Sequence, residues 1–226
     1  MLNIGIILCG NGRFDGSEIH ETTIAMLHLV RAGVELHCFA PDAPQWATCD
    51  HFDGCSTPET ARNMLAESGR LARGDIQPLS AAKVSELDAL VIPGGSGAVK
   101  NLCDFAAQGG NGEVIPELGA LLRDFHAAGK PIAAICIAPA ILALALGNHG
   151  PTITLGACDG VALEAAAAGA NMVECAVDHA IVDEKNLIVT TPAYILGSGI
   201  GEVDAGIDEL VRGLLRLLAT SPIGRA

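Results

Sequence analysis

The feature that most constrains the fold is a repeated alternation of short, mainly apolar segments with segments of helical pattern. The apolar segments have the length of single strands and are listed here: 3–8, 34–39, 88–95, 131–136 and 152–155. Strands that are apolar on both faces belong to parallel sheets covered by helices on both sides. The sequence therefore predicts an α/β fold with a mainly parallel sheet and helices on both faces.

The intervening segments carry the apolar spacing of helices. We expect helices at about 18–32, 57–73, 98–107, 116–128, 138–146, 161–168 and 194–218. Ser17 is predicted to cap the first of these helices and Gly33 to end it, while Thr57 precedes a proline, Pro58, at the first helical position of the second. The segment AIVDEKNLIVTT, residues 180–191, predicts a hairpin.

The chain of 226 residues contains no linker rich in Ser, Gly and Pro, and half of its residues are hydrophobic. We therefore expect one domain over residues 1–226. Its net charge of −13 would repel nucleic acid and anionic lipid, so neither is expected as a partner. Residues 1–10 resemble a first strand more than a signal peptide, and the apolar stretch 131–147 is too short to span a bilayer. A cytoplasmic (cytosolic) location follows by default.

Eight cysteines in such a chain should be mostly reduced thiols, and none forms a C-x-x-C motif. The segment CDHFDGC contains Cys49, His51, Asp53 and Cys55, which could ligate a metal ion. The segment is polar and lacks a second ligand pair, so we interpret it as a structural loop and predict no metal site.

Cys136 lies in the segment PIAAICIAPAIL, between a predicted strand and a predicted helix. This is the pattern of a nucleophile elbow, in which a sharp turn exposes the reactive atom. The helix N-terminus should lower the pKa of the thiol, and the N–H of Ile137 should face a developing oxyanion. The alternative is that Cys136 is a buried core thiol, as we expect of the other seven cysteines.

Glu21 is the best candidate for a proton partner. On the first helix it shares one face with Ile24, Leu27 and His28. Burial would raise the pKa of its carboxyl group, as a general acid/base at neutral pH requires. Glu18 lies one turn earlier and could be the acid instead, and either glutamate could simply complement the helix dipole.

Two glycine-rich segments could complete such a site. In VIPGGSGAVKNL, residues 91–102, Gly94 and Gly95 directly follow a strand and could offer N–H groups beside the sulfur. In CGNGRFDG, residues 9–16, the glycine spacing is one residue longer than that of a dinucleotide-binding motif, so we expect a loop that folds over the site and no nucleotide cofactor.

Together these motifs resemble a known superfamily. AAICIAPAIL resembles the cysteine elbow, VIPGGSGAVKNL the oxyanion loop and ETTIAMLHLVRAG the first helix of the PfpI-type, Parkinson-disease-deglycase-like proteins. The resemblance covers roughly residues 3–218 and implies the class I glutamine amidotransferase-like fold, a flavodoxin-like sandwich. Alignment on the RAG sequence places the family glutamate on Glu21.

NGRFDGSEIHE, CIAPAIL and IVTTPAYIL resemble the ElbB branch more specifically. Its members are called isoprenoid biosynthesis proteins with an amidotransferase-like domain and are also described as glyoxalases. The resemblance implies a homodimer.

The sequence departs from many superfamily members in having Ile137, not histidine, after the cysteine. No downstream histidine is followed two residues later by glutamate, so the Cys-His-Glu triad of a glutamine amidotransferase is absent. We therefore expect no peptidase or amidase activity. His179 is the downstream histidine nearest a strand start, and we interpret it as structural.

The leading hypothesis is a cofactor-independent, glutathione-independent glyoxalase that acts on a small aldehyde, glyoxal, with methylglyoxal as a second candidate substrate. Cys136 would form a hemithioacetal, Glu21 would move a proton between carbons, and N–H groups of Gly95 and Ile137 would hold the oxyanion. The alternative is a non-enzymatic redox sensor or regulatory protein linked to isoprenoid metabolism, in which oxidised Cys136 is held by Glu21.

Overall fold

The computed structural model describes residues 1–54 and 61–220. A seven-stranded sheet has the order β3-β2-β1-β4-β5-β9-β8, and all neighbouring strands are parallel except β8 and β9. Its strands are β1 (Asn3–Ile7), β2 (Glu35–Ala40), β3 (Gln77–Pro78), β4 (Ala89–Ile92), β5 (Ile132–Ile135), β8 (Ile181–Asp183) and β9 (Ile188–Thr191). A separate pair is formed by β6 (Thr152–Ile153) and β7 (Asn171–Met172). The predicted α/β fold with a mainly parallel sheet is confirmed.

Eight α-helices are described in residues 1–54 and 61–220. They are α1 (Ile19–Arg31), α2 (Met64–Leu71), α3 (Ala98–Asn101), α4 (Phe105–Gln108), α5 (Pro116–Ala127), α6 (Pro139–Leu146), α7 (Val161–Ala167) and α8 (Ile200–Thr220). None of the helices described is long and apolar enough to cross a lipid bilayer.

The sheet separates two hydrophobic clusters. Alternate residues of β4 point to opposite sides, so that Leu90 packs with Phe125 of α5 while Val91 belongs to the cluster containing Leu29 of α1 and Leu210 of α8. Helices therefore cover both faces, as predicted. Wholly buried strands of this kind require that coverage, because neither face can be left in water.

Several element boundaries differ from the prediction. The cap of α1 is Glu18, whose carboxylate accepts the N–H of Glu21 at 2.8 Å, while the hydroxyl of Ser17 accepts the N–H of Cys9 at 3.1 Å. The predicted helix 98–107 is divided into α3 and α4, because Cys103 between them forms a β-bridge with Val114.

Other boundaries shift within the predicted segments. The helix predicted at 57–73 is α2, which Asn63 caps at 3.0 Å, whereas the predicted cap at Thr57 and Pro58 lies outside the described residues. The C-terminal helix begins at Ile200 rather than 194, after a 3-10 turn at Ala193–Ile195. The hairpin predicted at 180–191 is confirmed by the antiparallel strands β8 and β9.

The sheet topology places three strand ends together. β1 lies between β2 and β4, so the chain leaves it in one direction and returns on the other side of it. In parallel sheets such a switch point forms a crevice beyond the carboxyl ends of the strands. The segments after β1, β4 and β5 meet at this crevice, and these are the segments that carry the candidate residues.

Two glycines of α8 provide a test of how closely this helix packs. A Cβ atom at Gly206 would lie 2.2 Å from the Val177 carbonyl oxygen, whereas a Cβ at Gly201 would meet nothing within 4 Å. Gly206→Ala should lower the free energy of unfolding by about 1–3 kcal/mol through overpacking. Gly201→Ala, the matched control, should leave it unchanged or raise it by at most about 1 kcal/mol. Urea denaturation checks both, and equal stability of the two variants would contradict this packing.

Candidate active site

Cys136 occupies a strained turn between β5 and α6. Its φ is +60°, a left-handed conformation that residues other than glycine seldom adopt. The N–H of Cys136 donates to the Thr191 carbonyl oxygen of β9 at 2.9 Å, and the N–H of Ala138 donates to the Ile135 carbonyl oxygen at 3.0 Å. The surrounding structure thus holds the turn, and the strand-to-helix elbow has the predicted form.

Two backbone N–H groups bind the sulfur of Cys136. They belong to Ile137, the next residue, and to Gly95 in the loop after β4. Gly95 has a φ of +97°, a left-handed conformation that favours glycine. Both residues therefore lie where the sequence predicted oxyanion donors.

Gly94 has a different position from the predicted one. Its N–H donates to Oε2 of Glu21 at 3.0 Å rather than to the sulfur. A Cβ at Gly94 would lie 2.6 Å from the Cβ of Cys136 and 2.8 Å from Oε2 of Glu21. Position 94 therefore requires glycine, because a side chain there would overlap both Cys136 and Glu21.

Glu21 is completely buried and hydrogen-bonds to the sulfur of Cys136. Its Oε1 also accepts the N–H of Tyr194 at 3.4 Å, opposite the bond from Gly94. Of the two candidate glutamates, the structure brings Glu21 to the cysteine. Glu18 instead caps α1 and lines the cavity beside the site.

Burial, followed by the negative charge of Glu18, raises the pKa of Glu21 to about 8. The carboxyl group is therefore mostly protonated at neutral pH, as the general acid/base hypothesis requires. Burial, followed by the charge of Glu21, also raises the pKa of the Cys136 thiol. The expectation of a lowered thiol pKa is wrong, because loss of hydration outweighs the N–H groups of Gly95 and Ile137.

A cavity of about 620 Å³ opens over the sulfur. Its walls combine apolar side chains with hydroxyl, imidazole, carboxylate and guanidinium groups, and its lining residues are Arg13, Glu18, His20, Gly95, Ser96, Val99, Cys136, Ile137, Tyr194, Ile195, Gly197 and Ser198. The site therefore joins a buried thiol to a space that a small molecule can enter.

The loop 9–17 forms one wall of this cavity, as predicted. The N–H of Ser96 donates to the Arg13 carbonyl oxygen at 2.6 Å, which joins the loop to the segment after β4. A Cβ at Gly97 would lie 2.1 Å from the N of Gly16. Close backbone contact between two glycine-containing segments thus places Arg13 at the cavity.

Sequence reasoning missed two side chains of the site. His20 precedes Glu21 on α1, and its Nδ1 lies 2.6 Å from the hydroxyl oxygen of Tyr194. Both residues line the cavity. Two further groups that can donate or accept a proton therefore line the same cavity as the cysteine. The segments EIHE and TPAYIL contained these residues, but nothing in their spacing shows that they meet.

The remaining candidates lie outside this arrangement. His51 accepts the N–H of Phe14 at 3.3 Å, and the N–H of Cys49 donates to Asp15 at 2.8 Å, while Cys55 is outside the described residues. Within residues 1–54 and 61–220, no three His, Cys, Asp or Glu side chains are grouped to hold a metal ion. His179 is exposed and pairs with Asp178 at 2.7 Å.

Comparison with known proteins supports the predicted resemblance. The profile of the DJ-1/PfpI family matches residues 13–194. A human relative, the mitochondrial glutamine amidotransferase-like class 1 domain-containing protein 3, is 40% identical and aligns with 95% of this chain and 82% of its own. The mitochondrial ES1 protein homolog of Rattus norvegicus is 39% identical, with 95% and 83% covered.

A solved structure agrees with the fold. The isoprenoid biosynthesis protein with amidotransferase-like domain from Ehrlichia chaffeensis has a TM-score of 0.88 and 34% sequence identity, covering 95% of this chain and 99% of that one. The expected amidotransferase-like fold and the predicted superfamily are confirmed.

The expected cytoplasmic location is wrong by this comparison. The human, rat and Danio rerio relatives are all named as mitochondrial proteins. The expectation follows only from a first segment that resembles a strand and an apolar stretch too short to span a bilayer, and neither observation bears on a mitochondrial location.

The pH dependence of stability tests the buried carboxyl group. Glu21 keeps its proton up to about pH 8 when folded but loses it near 4.5 when unfolded, so its contribution is fully present below about 4.5 and is lost as pH rises through about 8. Relative to wild type, Glu21→Gln should gain free energy of unfolding across this window, by as much as about 5 kcal/mol.

Urea denaturation at several pH values between about 5 and 8 measures this difference. Glu18→Gln is the control, because it removes only the secondary cause of the raised pKa and keeps a cap acceptor. A difference between wild type and Glu21→Gln that stays constant with pH would contradict the burial of a protonated carboxyl.

Proposed function

This chain belongs to the DJ-1/PfpI family, and from that premise we propose that it is a cofactor-independent glyoxalase. Its substrate would be glyoxal, and the cavity has room for the additional methyl group of methylglyoxal. The product would be the corresponding hydroxy acid. The observation that carries the proposal is the hydrogen bond between the buried Glu21, whose pKa burial raises to about 8, and the sulfur of Cys136.

The first step is addition of the thiol to one aldehyde carbon. The sulfur forms a bond to carbon, the carbonyl oxygen becomes an alkoxide, and the thiol proton passes through Glu21 to that oxygen, which gives a hemithioacetal. The N–H groups of Gly95 and Ile137 already point toward the sulfur and are placed to stabilise the alkoxide as it forms.

The second step moves a proton from carbon to carbon. Glu21 releases its proton to water and then accepts the proton from the carbon bonded to sulfur. The freed electron pair forms a carbon–carbon double bond while the π bond of the neighbouring carbonyl group breaks and its oxygen takes up a proton. Glu21 then returns its proton to the neighbouring carbon, and the hydroxyl group on the carbon bonded to sulfur loses its proton to water, which gives a thioester. Water then hydrolyses the thioester, releasing glycolate and the Cys136 thiol. Glyoxal plus water equals glycolic acid, so neither an oxidant nor a reductant is consumed.

The pKa of Glu21 suits this exchange. A group that must both donate and accept a proton works best when its pKa lies near the working pH, and burial raises the pKa of Glu21 to about 8. A glutamate exposed to solvent would be almost entirely ionised at neutral pH and could not donate.

Two observations weigh against the other functions considered. A redox sensor requires a thiol that readily forms thiolate, whereas burial raises the pKa of Cys136. Amide hydrolysis by a cysteine nucleophile uses a histidine bonded to the sulfur as the general acid for the leaving amine, whereas position 137 is isoleucine and the Nδ1 of His20 contacts Tyr194. Addition to an aldehyde expels no leaving group, and Glu21, which bonds to the sulfur, can relay the thiol proton to the carbonyl oxygen as the bond to carbon forms.

Glyoxal turnover by the purified chain tests the proposal. Wild type should convert glyoxal to glycolate in the presence of chelator, and Cys136→Ser should abolish conversion because it removes the nucleophile. Glu21→Gln should lower kcat by about 10²–10⁴-fold, the usual contribution of a positioned proton-transfer group.

Glu18→Gln is the matched control, because Glu18 lies one turn from Glu21 but does not contact the sulfur, and its loss of activity should be far smaller. Product formation is followed by NMR. Undiminished conversion by Cys136→Ser, or a loss confined to the Glu18 variant, would refute the assignment.

A further inference from the structure

His20 and Tyr194 form a contact that the reaction described above does not use. The Nδ1 of His20 lies 2.6 Å from the hydroxyl oxygen of Tyr194, and the two ring centroids are 5.8 Å apart. His20 lies on α1 and Tyr194 in the turn after β9, so the contact joins two elements distant in the chain. Both side chains line the cavity that contains Cys136.

Tyr194 also forms a hydrogen bond with the buried carboxyl group of Glu21. Its backbone N–H donates to Oε1 of Glu21 at 3.4 Å, so the Tyr194 backbone lies directly beside the carboxyl group. Burial, with the charges of Glu18 and Glu21, raises the pKa of the Tyr194 hydroxyl, which therefore remains a proton donor at neutral pH. His20, by contrast, is exposed to solvent.

The proton transfer between carbons needs a donor at a second place. When Glu21 takes the proton from the carbon bonded to sulfur, the electron pair moves through the new double bond onto the neighbouring carbonyl oxygen. Glu21 cannot neutralise that oxygen while it is accepting a proton. The N–H groups of Gly95 and Ile137 bind the sulfur, so they are near the oxygen on the carbon bonded to sulfur and not near the second oxygen.

We propose that the Tyr194 hydroxyl donates a proton to the second oxygen of the bound aldehyde and that His20 positions Tyr194 and returns its proton from water. This inference rests on the proposed function. The O–H bond of Tyr194 breaks as a new O–H bond forms on the substrate, and His20 restores the phenol from solvent. The hydroxyl proton that the substrate loses when the thioester forms goes back to solvent, so charge and protons balance. Tyr194 is the catalytic group and His20 the positioning residue.

The first test does not require turnover. Glyoxal that adds to Cys136 protects the sulfur from iodoacetamide, and mass spectrometry follows the labelling of Cys136. Tyr194→Phe keeps the backbone N–H to Glu21, so labelling without glyoxal should proceed at the wild-type rate. The glyoxal concentration needed for half protection should rise about tenfold, as expected for one lost hydrogen bond to the adduct.

The second test uses chemical rescue. Tyr194→Phe should lower kcat by about 10²-fold or more and should not respond to imidazole. His20→Ala should also lower kcat, and imidazole in the buffer should restore part of it, because an exposed position leaves room for the small base. His179→Ala is the control, since His179 is exposed and lies outside the cavity lining.

The outcomes separate the two proposals. If glyoxal protects Cys136 of the wild type from labelling but is not converted to glycolate, the proposed glyoxalase function is refuted. The protection assay then still shows whether the Tyr194 hydroxyl binds the aldehyde adduct. Equal half-protection in wild type and Tyr194→Phe, or no protection of wild type, overturns the inference. Loss of activity in His20→Ala that imidazole does not restore assigns His20 a purely structural role and overturns its part.

Discussion

A carboxyl group and a thiol that are both almost entirely buried are in hydrogen-bond contact, and the proposed reaction depends on the protons that they hold. Removing Glu21 from water raises the pKa of its carboxyl to about 8, and the same burial raises the pKa of Cys136. Two neutral groups in contact are tolerated in such a place, whereas two charged ones are not. The site is therefore stable with both groups protonated. In the proposed reaction the negative charge develops on an oxygen of the substrate.

The architecture brings this contact about by uniting segments that are far apart in the chain. β1, β4 and β5 are neighbours in the sheet, and the segments after them supply the loop 9–17, the glycine turn with Gly94 and Gly95, and the Cys136 elbow. Gly94 permits the closest approach, because any side chain there would overlap both Cys136 and Glu21. The strain of the elbow, with φ at +60°, is sustained by the bond from Cys136 to Thr191 on the next strand.

Much of this arrangement could be predicted from the sequence because its signals are local. Continuous apolar strands indicate a parallel sheet, and a cysteine between strand and helix indicates an elbow. Burial of Glu21 is confirmed, but of the residues predicted to share its face Ile24 is buried and Leu27 is exposed. Predictions that depend on which of several hydrogen-bond partners a side chain binds were wrong. Ser17 is a good cap by type, yet its hydroxyl bonds to the N–H of Cys9, and Glu18 caps the helix instead.

The cavity itself was beyond sequence reasoning. His20 and Tyr194 meet across 174 residues, and no periodicity relates them. The predicted direction of the Cys136 pKa shift was wrong for a similar reason. The elbow is a local pattern that predicts stabilisation of thiolate, whereas the dominant effect is burial by the whole fold, including the carboxyl group of Glu21.

Infrared spectroscopy of the carboxyl group tests the central claim most directly. A protonated carboxyl buried away from water has a C=O stretching band distinct from that of carboxylate, and Glu21→Gln assigns the band. Wild type should show this band at neutral pH, and the band should disappear as pH rises through about 8. If it is absent at neutral pH, or disappears near 4.5 as for a solvated glutamate, Glu21 is ionised at working pH and the account of the site is wrong.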